Sequence, residues 1–285
     1  MSRQVKNIIN ITAFLICIAL VNIAGQNIEL EIRGVNAFTY ILIAAVLIQV
    51  IFFIPSFLLK TEKYYDLVGS LTYVITISLA YFAVENKTTI DSIIYIYVMI
   101  WASRLGIYLF RRVQKDGKDV RFEKAKTHFF WFLQYWMGQA LWVSLTACAA
   151  IIAILSPEED TLPVLAMLGM ALWLTGFTIE SISDYQKRVF RKENNPSKSF
   201  IHTGLWARSR HPNYFGEITL WTGIAIIALN TLAGIEYITL ISPVFVYILL
   251  TRMSGVNLLE RIADERYGEL EAVSYTHLRA HETEA

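Results

Sequence analysis

The densest group of residues able to do chemistry lies between positions 180 and 217. Glu180, Asp184, Lys187, Arg188 and Arg191 are spaced so that a helix carries them near one face. The acids on that face sit deep in an apolar segment, and the bases sit just beyond its end. A turn-rich stretch follows, Asn194-Asn195-Pro196-Ser197-Lys198-Ser199. Then His202-Thr203-Gly204-Leu205-Trp206 leads into Arg208-Ser209-Arg210-His211-Pro212-Asn213-Tyr214-Phe215-Gly216-Glu217. Pro212 cannot continue a preceding helix and suits the first turn of a new one, so a helix is expected to start within 211–213. Its N–H groups, with Arg208, Arg210 and His211 beside them, make an anion site suited to a phosphate or a carboxylate. Asn213 and Glu217 lie four apart and share a helix face expected to point into a bundle.

Other familiar chemistries are not written here. The 14 glycines form neither a Gly-x-Gly-x-x-Gly pattern nor a phosphate loop, and no Gly-x-Ser-x-Gly elbow occurs. His277 and His281 are four apart but lack a third ligand, so no metal is expected. Cys17 and Cys148 lie inside apolar runs, which argues against a disulfide framework.

The elements that must position these residues follow from composition. Of the 285 residues, 55% are hydrophobic and only 17% charged. Mean hydropathy is +0.45. A soluble enzyme, a disordered chain and a coiled coil are all excluded by that balance. A net charge of +1 implies no nucleic-acid partner. Apolar runs long enough to cross a bilayer cover 8–25, 36–59, 66–84, 92–110, 129–155 and 161–182, with a last block at 214–251. That block is too long for one span and holds Asn230, Gly234, Glu236 and Pro243, so a turn is expected near 230–236. The expected fold is all-α, a polytopic integral-membrane bundle of seven to eight transmembrane helices. One membrane domain is expected over 1–272, with no cleavable leader. The tail 273–285 reads as non-native or disordered.

Charge gives the orientation. Segment 111–126 carries seven bases against three acids, and segment 184–210 seven against two. The connector at 156–161 holds Glu158, Glu159 and Asp160 and no base. The N-terminus and the connectors after the second, fourth and sixth helices are therefore expected in the cytoplasm. Ionisable residues at membrane depth are costly and mark candidate sites. Besides Glu180, Asp184 and Glu217 these are Asp66 and Arg104. Gln134 and Gln139 read as interhelical hydrogen-bonding residues.

Asp184-Tyr-Gln-Lys, followed by Thr203-Gly-Leu-Trp-x-x-Ser-Arg-His-Pro-Asn-Tyr-Phe-Gly-Glu217, resembles the membrane-embedded steroid 5-alpha-reductase family in its bacterial branch. The likeness is strongest over 176–217. It extends more loosely to Trp101-Ala-Ser-Arg104, to Arg111 and Arg112, to Leu259-Glu260-Arg261 and to Arg266-Tyr267-Gly268. The resemblance implies NADPH entering from the cytoplasm, and a lipophilic 3-oxo-4-ene steroid or similar enone entering from lipid. It implies hydride transfer to the β-carbon of the conjugated double bond and protonation of the α-carbon. It implies cofactor roles for Asp184, Arg191, Arg208, Arg210, His211, Asn213, Tyr214 and Glu217, with Arg104, Arg111 and Arg112 as a second basic cluster. No obligate protein partner is implied, and the expected location is a bacterial inner membrane. In the family's animal members a Glu and a Tyr from early helices bind the ketone. Here Phe52 and Phe53 stand where the acid is expected, and Trp101 where the Tyr is expected. Tyr65 with Asp66, Tyr95, Tyr97 or Glu180 are the candidates to replace them.

The Arg-His-Pro-x-Tyr-x-Gly element also resembles that of isoprenylcysteine carboxyl methyltransferases. That likeness implies S-adenosylmethionine, which carries a carboxylate and no phosphate. Fourteen of the 25 Lys and Arg residues lie in two segments, more charge than one carboxylate needs. A non-enzymatic lipid-binding protein of the same fold is the third alternative.

Overall fold

The computed structural model describes residues 1–117, 119–156, 161–193 and 201–253. The connector acids at 158–160, the turn at 194–199, the segment 259–268 and the tail 273–285 lie outside the described residues. Among the described residues there are eight α-helices: α1 (Arg3–Val21), α2 (Ala37–Leu58), α3 (Tyr65–Ala83), α4 (Thr89–Asp116), α5 (Phe129–Leu155), α6 (Val164–Glu193), α7 (Pro212–Ala228) and α8 (Ile241–Ile248). Long helices are what an apolar chain must form in lipid, where every backbone N–H and C=O needs an internal partner. Among the described residues, seven segments are long and apolar enough to cross a membrane. The seventh runs from Gly234 to Arg252, joining a 3₁₀ segment, α8 and a final π-helical turn. α7 covers 17 residues, the lower limit for a span of about 17–25. The expected turn near 230–236 is present: α7 ends at Ala228, and Gly234 opens the 3₁₀ segment at a φ of 52°. The sixth helix continues beyond the apolar run to Glu193, so Asp184, Lys187, Arg188 and Arg191 are all helical, as their spacing implies.

The chain falls into two compact units. The first holds Met1–Met167 with Ile224–Ser242. Its centre is α5, against which α1, α2 and α3 pack, while α4 packs chiefly on α3. Alanines at 147, 149, 150 and 153 are fully buried along α5, and such small side chains let neighbouring helices approach closely. Around its first half lies an aromatic core of Phe53, Tyr65, Phe122, Phe132 and Trp136. Between α1 and α2 a short hairpin pairs β1 (Glu31–Ile32) with β2 (Val35–Asn36). Arg33 and Gly34 both have positive φ, 54° and 78°, as a two-residue hairpin turn of this hand requires. Asn36 then ties the connection: its amide donates to the carbonyls of Gly25 and Ile28, and its oxygen caps α2 at Thr39 N–H.

The second unit holds Leu168–Gly223 and the segment from Pro243. Its frame is most of α6 and the first part of α7.

Candidate functional site

α6 and α7 run antiparallel in backbone contact. A Cβ added at Gly176 would meet the Leu220 N and the Gly216 O of α7. One added at Gly216 would meet the Glu180 N and the Gly176 O of α6, and one at Gly223 the Gly169 O and the Trp173 N. Small residues at heptad-like spacing therefore form a seam with no room for side chains. Glu180 is in this seam beside Gly216, and Glu217 is the next residue along α7. Glu180, Asp184 and Glu217 are all buried. The Oδ1 of Asn213 is buried with no hydrogen-bond partner among the described residues. A buried amide oxygen left in that state is costly, so a ligand N–H or O–H would be favoured there.

The entrance to α7 is built from the segment before it. Pro212 is the first helical residue, as its ring predicts. The Ser209 hydroxyl accepts the His211 N–H at 3.2 Å, and the His211 ring stacks on Tyr214 with centroids 5.2 Å apart. Arg208 is exposed, while Arg210 and His211 are half-buried. The segment is anchored on α6. The Gln186 side-chain oxygen accepts the Leu205 N–H at 3.0 Å, and the Trp206 indole N–H donates to the Ser183 carbonyl at 3.1 Å. The Lys187 ammonium lies 4.6 Å from the centre of the Trp206 ring. Gly204 has a φ of 63°, and its Cα faces the Gln186 amide so closely that a side chain would collide with it. Asp184-Tyr-Gln-Lys and Thr203-Gly-Leu-Trp are thus two halves of one lock. Arg191 lies exposed near the end of α6.

The other candidates belong to the first unit. Arg104 is half-buried on α4, Arg111 is exposed, and Arg112 is half-buried. Tyr65 is buried among Phe122 and Trp136, and its hydroxyl donates to the Tyr135 carbonyl at 2.9 Å. Asp66 holds two guanidiniums, Arg112 at 3.3 Å and Arg121 at 3.4 Å. Arg121 also bonds Asp119 at 2.6 Å, and Glu62 accepts both the Asp119 N–H and the Lys126 ammonium. Burial pushes the Asp119 carboxyl up, but the hydrogen bonds and charge of Arg121 outweigh it and hold the carboxyl below its ordinary value. Burial likewise lowers the Arg121 guanidinium, and its bond to Asp119 with the charge of Asp66 more than offsets this, so it is raised. These groups join the α2–α3 and α4–α5 connectors. Phe53, at the position where an acid is expected, packs edge-on against Phe129 at 5.2 Å and lies within 6.5 Å of Trp136. An acid there would be buried among aromatic rings, at a desolvation cost.

Residues 52–279 match the family described as "Protein of unknown function (DUF1295)". The chain belongs to that family. Part of the DUF1295 chain is also similar to curated enzymes. It is 38% identical over 60 residues to human 3-oxo-5-alpha-steroid 4-dehydrogenase 1, covering 21% of this chain and 23% of that protein. The mouse and rat proteins of the same name are each 37% identical over 60 residues, covering 21% of this chain and 24% and 23% of theirs. The chain thus matches under a quarter of the length of these relatives. No solved structure matches it. Family membership, these relatives and the apolar helices make this an integral multi-pass membrane protein related to the steroid 5-alpha-reductases.

Motif reading assigned no role to Gln186, Ser183, Trp206 or Gly204 in this DUF1295 protein, yet they fasten the α7 entrance to α6. A glycine two residues before a Trp, eighteen residues after a helical Gln, is the local trace of that lock, but the pairing exists only once the chain folds back.

Proposed function

We propose that this protein is a membrane NADPH-dependent reductase of the carbon–carbon double bond in a 3-oxo-4-ene steroid or a similar lipophilic enone. The observation that carries this reading is the α6–α7 seam, with buried acids and the buried Asn213 oxygen on one side and Arg208 and Arg210 beside the start of α7 on the other. The residues present fit the cofactor. Guanidiniums beside a helix N-terminus suit a pyrophosphate and a ribose phosphate, and the Asn213 oxygen suits the N–H of a carboxamide. Arg208, Arg210, His211, Tyr214 and Arg191 would hold the nucleotide, with Asp184, Asn213 and Glu217 orienting it from the seam. Arg104, Arg111 and Arg112 are the proposed second basic group. NADPH, when bound, supplies the hydride for the β-carbon.

The carbonyl-polarising role is assigned by the direction of hydrogen bonds. A ketone oxygen needs a donor. The Tyr65 proton is given to Tyr135, and Asp66 is occupied by Arg112 and Arg121, so we give both a positioning part. Of the other candidates, Tyr95, Tyr97 and Glu180, we favour Glu180 because it lies buried in the seam beside the proposed cofactor site, where a carboxyl that keeps its proton would donate to a ketone. By the positive-inside rule, the N-terminus and the connectors after α2, α4 and α6 face the cytoplasm, so the cofactor enters from that side, in a bacterial inner membrane. The test is mass spectrometry of products after incubating membranes containing the protein with NADPH and a panel of 3-oxo-4-ene steroids. A product two mass units heavier, absent without NADPH, supports the reading; an unchanged panel with bound NADPH removes the steroid class.

A further inference from the structure

Inside the first unit, two carboxamides meet the same turn of α3. Gln49 comes from α2 and is fully buried; Gln139 comes from α5 and is buried as well. Thr72 settles the orientation of Gln49. The Thr72 hydroxyl donates to the Val68 carbonyl at 2.7 Å, so toward Gln49 it can only accept, and it takes the Gln49 amide N–H at 2.8 Å. The Gln49 Oε1 is therefore turned away from Thr72, and it is buried with no hydrogen-bond partner among the described residues. Gln139 lies over Gly69, three residues before Thr72 on the same face of α3, so close that a Cβ at Gly69 would collide with the Gln139 Nε2. The Gln139 Oε1 is likewise buried and unmatched, and exchanging its oxygen and nitrogen would only leave a donor unmatched instead. One turn earlier on α5, the fully buried Trp136 carries an indole N–H in the same state.

Orphaned polar atoms are expensive at membrane depth, where water is scarce. Two acceptors on side chains from different helices, both set against one turn of α3, and a donor one turn earlier on α5 call for a group that can both donate and accept. A ketone only accepts and leaves both oxygens unmet; an ether does the same. We propose that Gln49 and Gln139, seated on the Gly69–Thr72 turn, form a binding site for the hydroxyl group of a lipophilic alcohol. The hydroxyl donates to a glutamine oxygen and accepts from an amide or the Trp136 N–H. Glycine at 69 is required because the Gln139 amide occupies the place of its side chain. The site does not rest on the reductase reading and needs no cofactor.

The test is scintillation-proximity binding of tritiated cholesterol and of tritiated hexadecanol to the purified full chain in nanodiscs, without NADPH. Each is competed with the unlabelled alcohol and with its methyl ether, which keeps the shape and removes the donor. The expected result is that at least one alcohol competes about ten-fold better than its ether, the equivalent of about 1.4 kcal/mol. Which of the two does so tells a sterol site from a linear-alcohol site. Gln49→Met and Gln139→Met, close in volume and without a strong acceptor, should each bring the ratio below about two-fold. Gly69→Ala, which displaces Gln139, should do the same. Equal competition by alcohol and ether on the unmodified protein overturns the proposal. So does the absence of saturable binding by either alcohol, the result expected if a resident water meets these atoms. A ratio that survives in both glutamine variants places the hydroxyl elsewhere and overturns it too. If a variant fails to fold, the unmodified protein's alcohol-to-ether ratio and Gly69→Ala still decide.

Discussion

Trp206 donates its indole N–H to the carbonyl of Ser183 at 3.1 Å, across 23 residues of sequence. With the Gln186–Leu205 bond, this fastens the approach to α7 onto the side of α6. Arg208 and Arg210 follow directly, so the lock sets where their guanidiniums stand.

Loosening that lock should therefore weaken nucleotide binding without touching a binding residue. Trp206→Phe removes one hydrogen bond, worth about 1 kcal/mol. Gln186→Ala leaves the Leu205 N–H unmatched. Both should lower the melting temperature by a few degrees and raise the Kd for NADPH, measured by thermal denaturation and fluorescence titration. A changed melting point with unchanged Kd in both would mean that the lock is structural only.

The seam makes a sharper stability prediction. At Gly216 a methyl group would meet backbone atoms at 2.6 and 2.7 Å, and backbone cannot swing aside as a side-chain tip can. Gly216→Ala should cost about 1–3 kcal/mol, the usual range for overpacking. Gly34→Ala, where nothing lies within 4 Å, strains only a turn and should cost less. Thermal denaturation of the two variants in the same detergent checks the order.

Arg210→Ala and Asn213→Ala should each raise the KM for NADPH about ten-fold, or about 1.4 kcal/mol. Glu217→Gln, in the seam, should lower kcat more than Gln134→Ala on α5. Steady-state kinetics on the reduced product decides. Equal effects on kcat would move the reacting atoms away from α7.

The ion network between connectors predicts an acid limb. Asp119 is held below its ordinary value of 3.8 in the folded chain. A depressed carboxylate stabilises the fold above its unfolded value, and that contribution is lost as the pH falls through the folded value. Melting temperature should therefore drop as pH falls below about 4. In Asp119→Asn the chain should be less stable at neutral pH and the drop shallower. A melting profile of equal slope in both proteins would place the acid-sensitive group elsewhere.

The spans were legible because a bilayer imposes a length on apolar runs, and the start of α7 because proline at 212 has few other uses. The acids of the seam were legible too, since Glu180, Asp184 and Glu217 stand out in apolar surroundings. What local pattern could not show is how partners are shared. Tyr65 and Asp66 read as candidates for the site, and their partners lie far off in sequence: Tyr135 is 70 residues on, and Arg112 and Arg121 are 46 and 55 residues on. Nothing near Asp66 in sequence announces those guanidiniums. The same holds for Gln139. It reads as a residue joining helices, and whether its amide is met depends on Gly69 and Gln49, which only packing brings to it.

The account turns on α6 and α7 holding a phosphorylated nucleotide. Thermal-shift titration of the purified full chain with NADPH, NADH and S-adenosylmethionine tests this most directly. A ligand that binds the folded state at about 100 times its Kd adds about 2.7 kcal/mol of stability, enough to see. The expected result is a concentration-dependent rise with NADPH and none with S-adenosylmethionine, the rise being reduced in Arg210→Ala. A rise with S-adenosylmethionine alone, or none with any of the three, contradicts it.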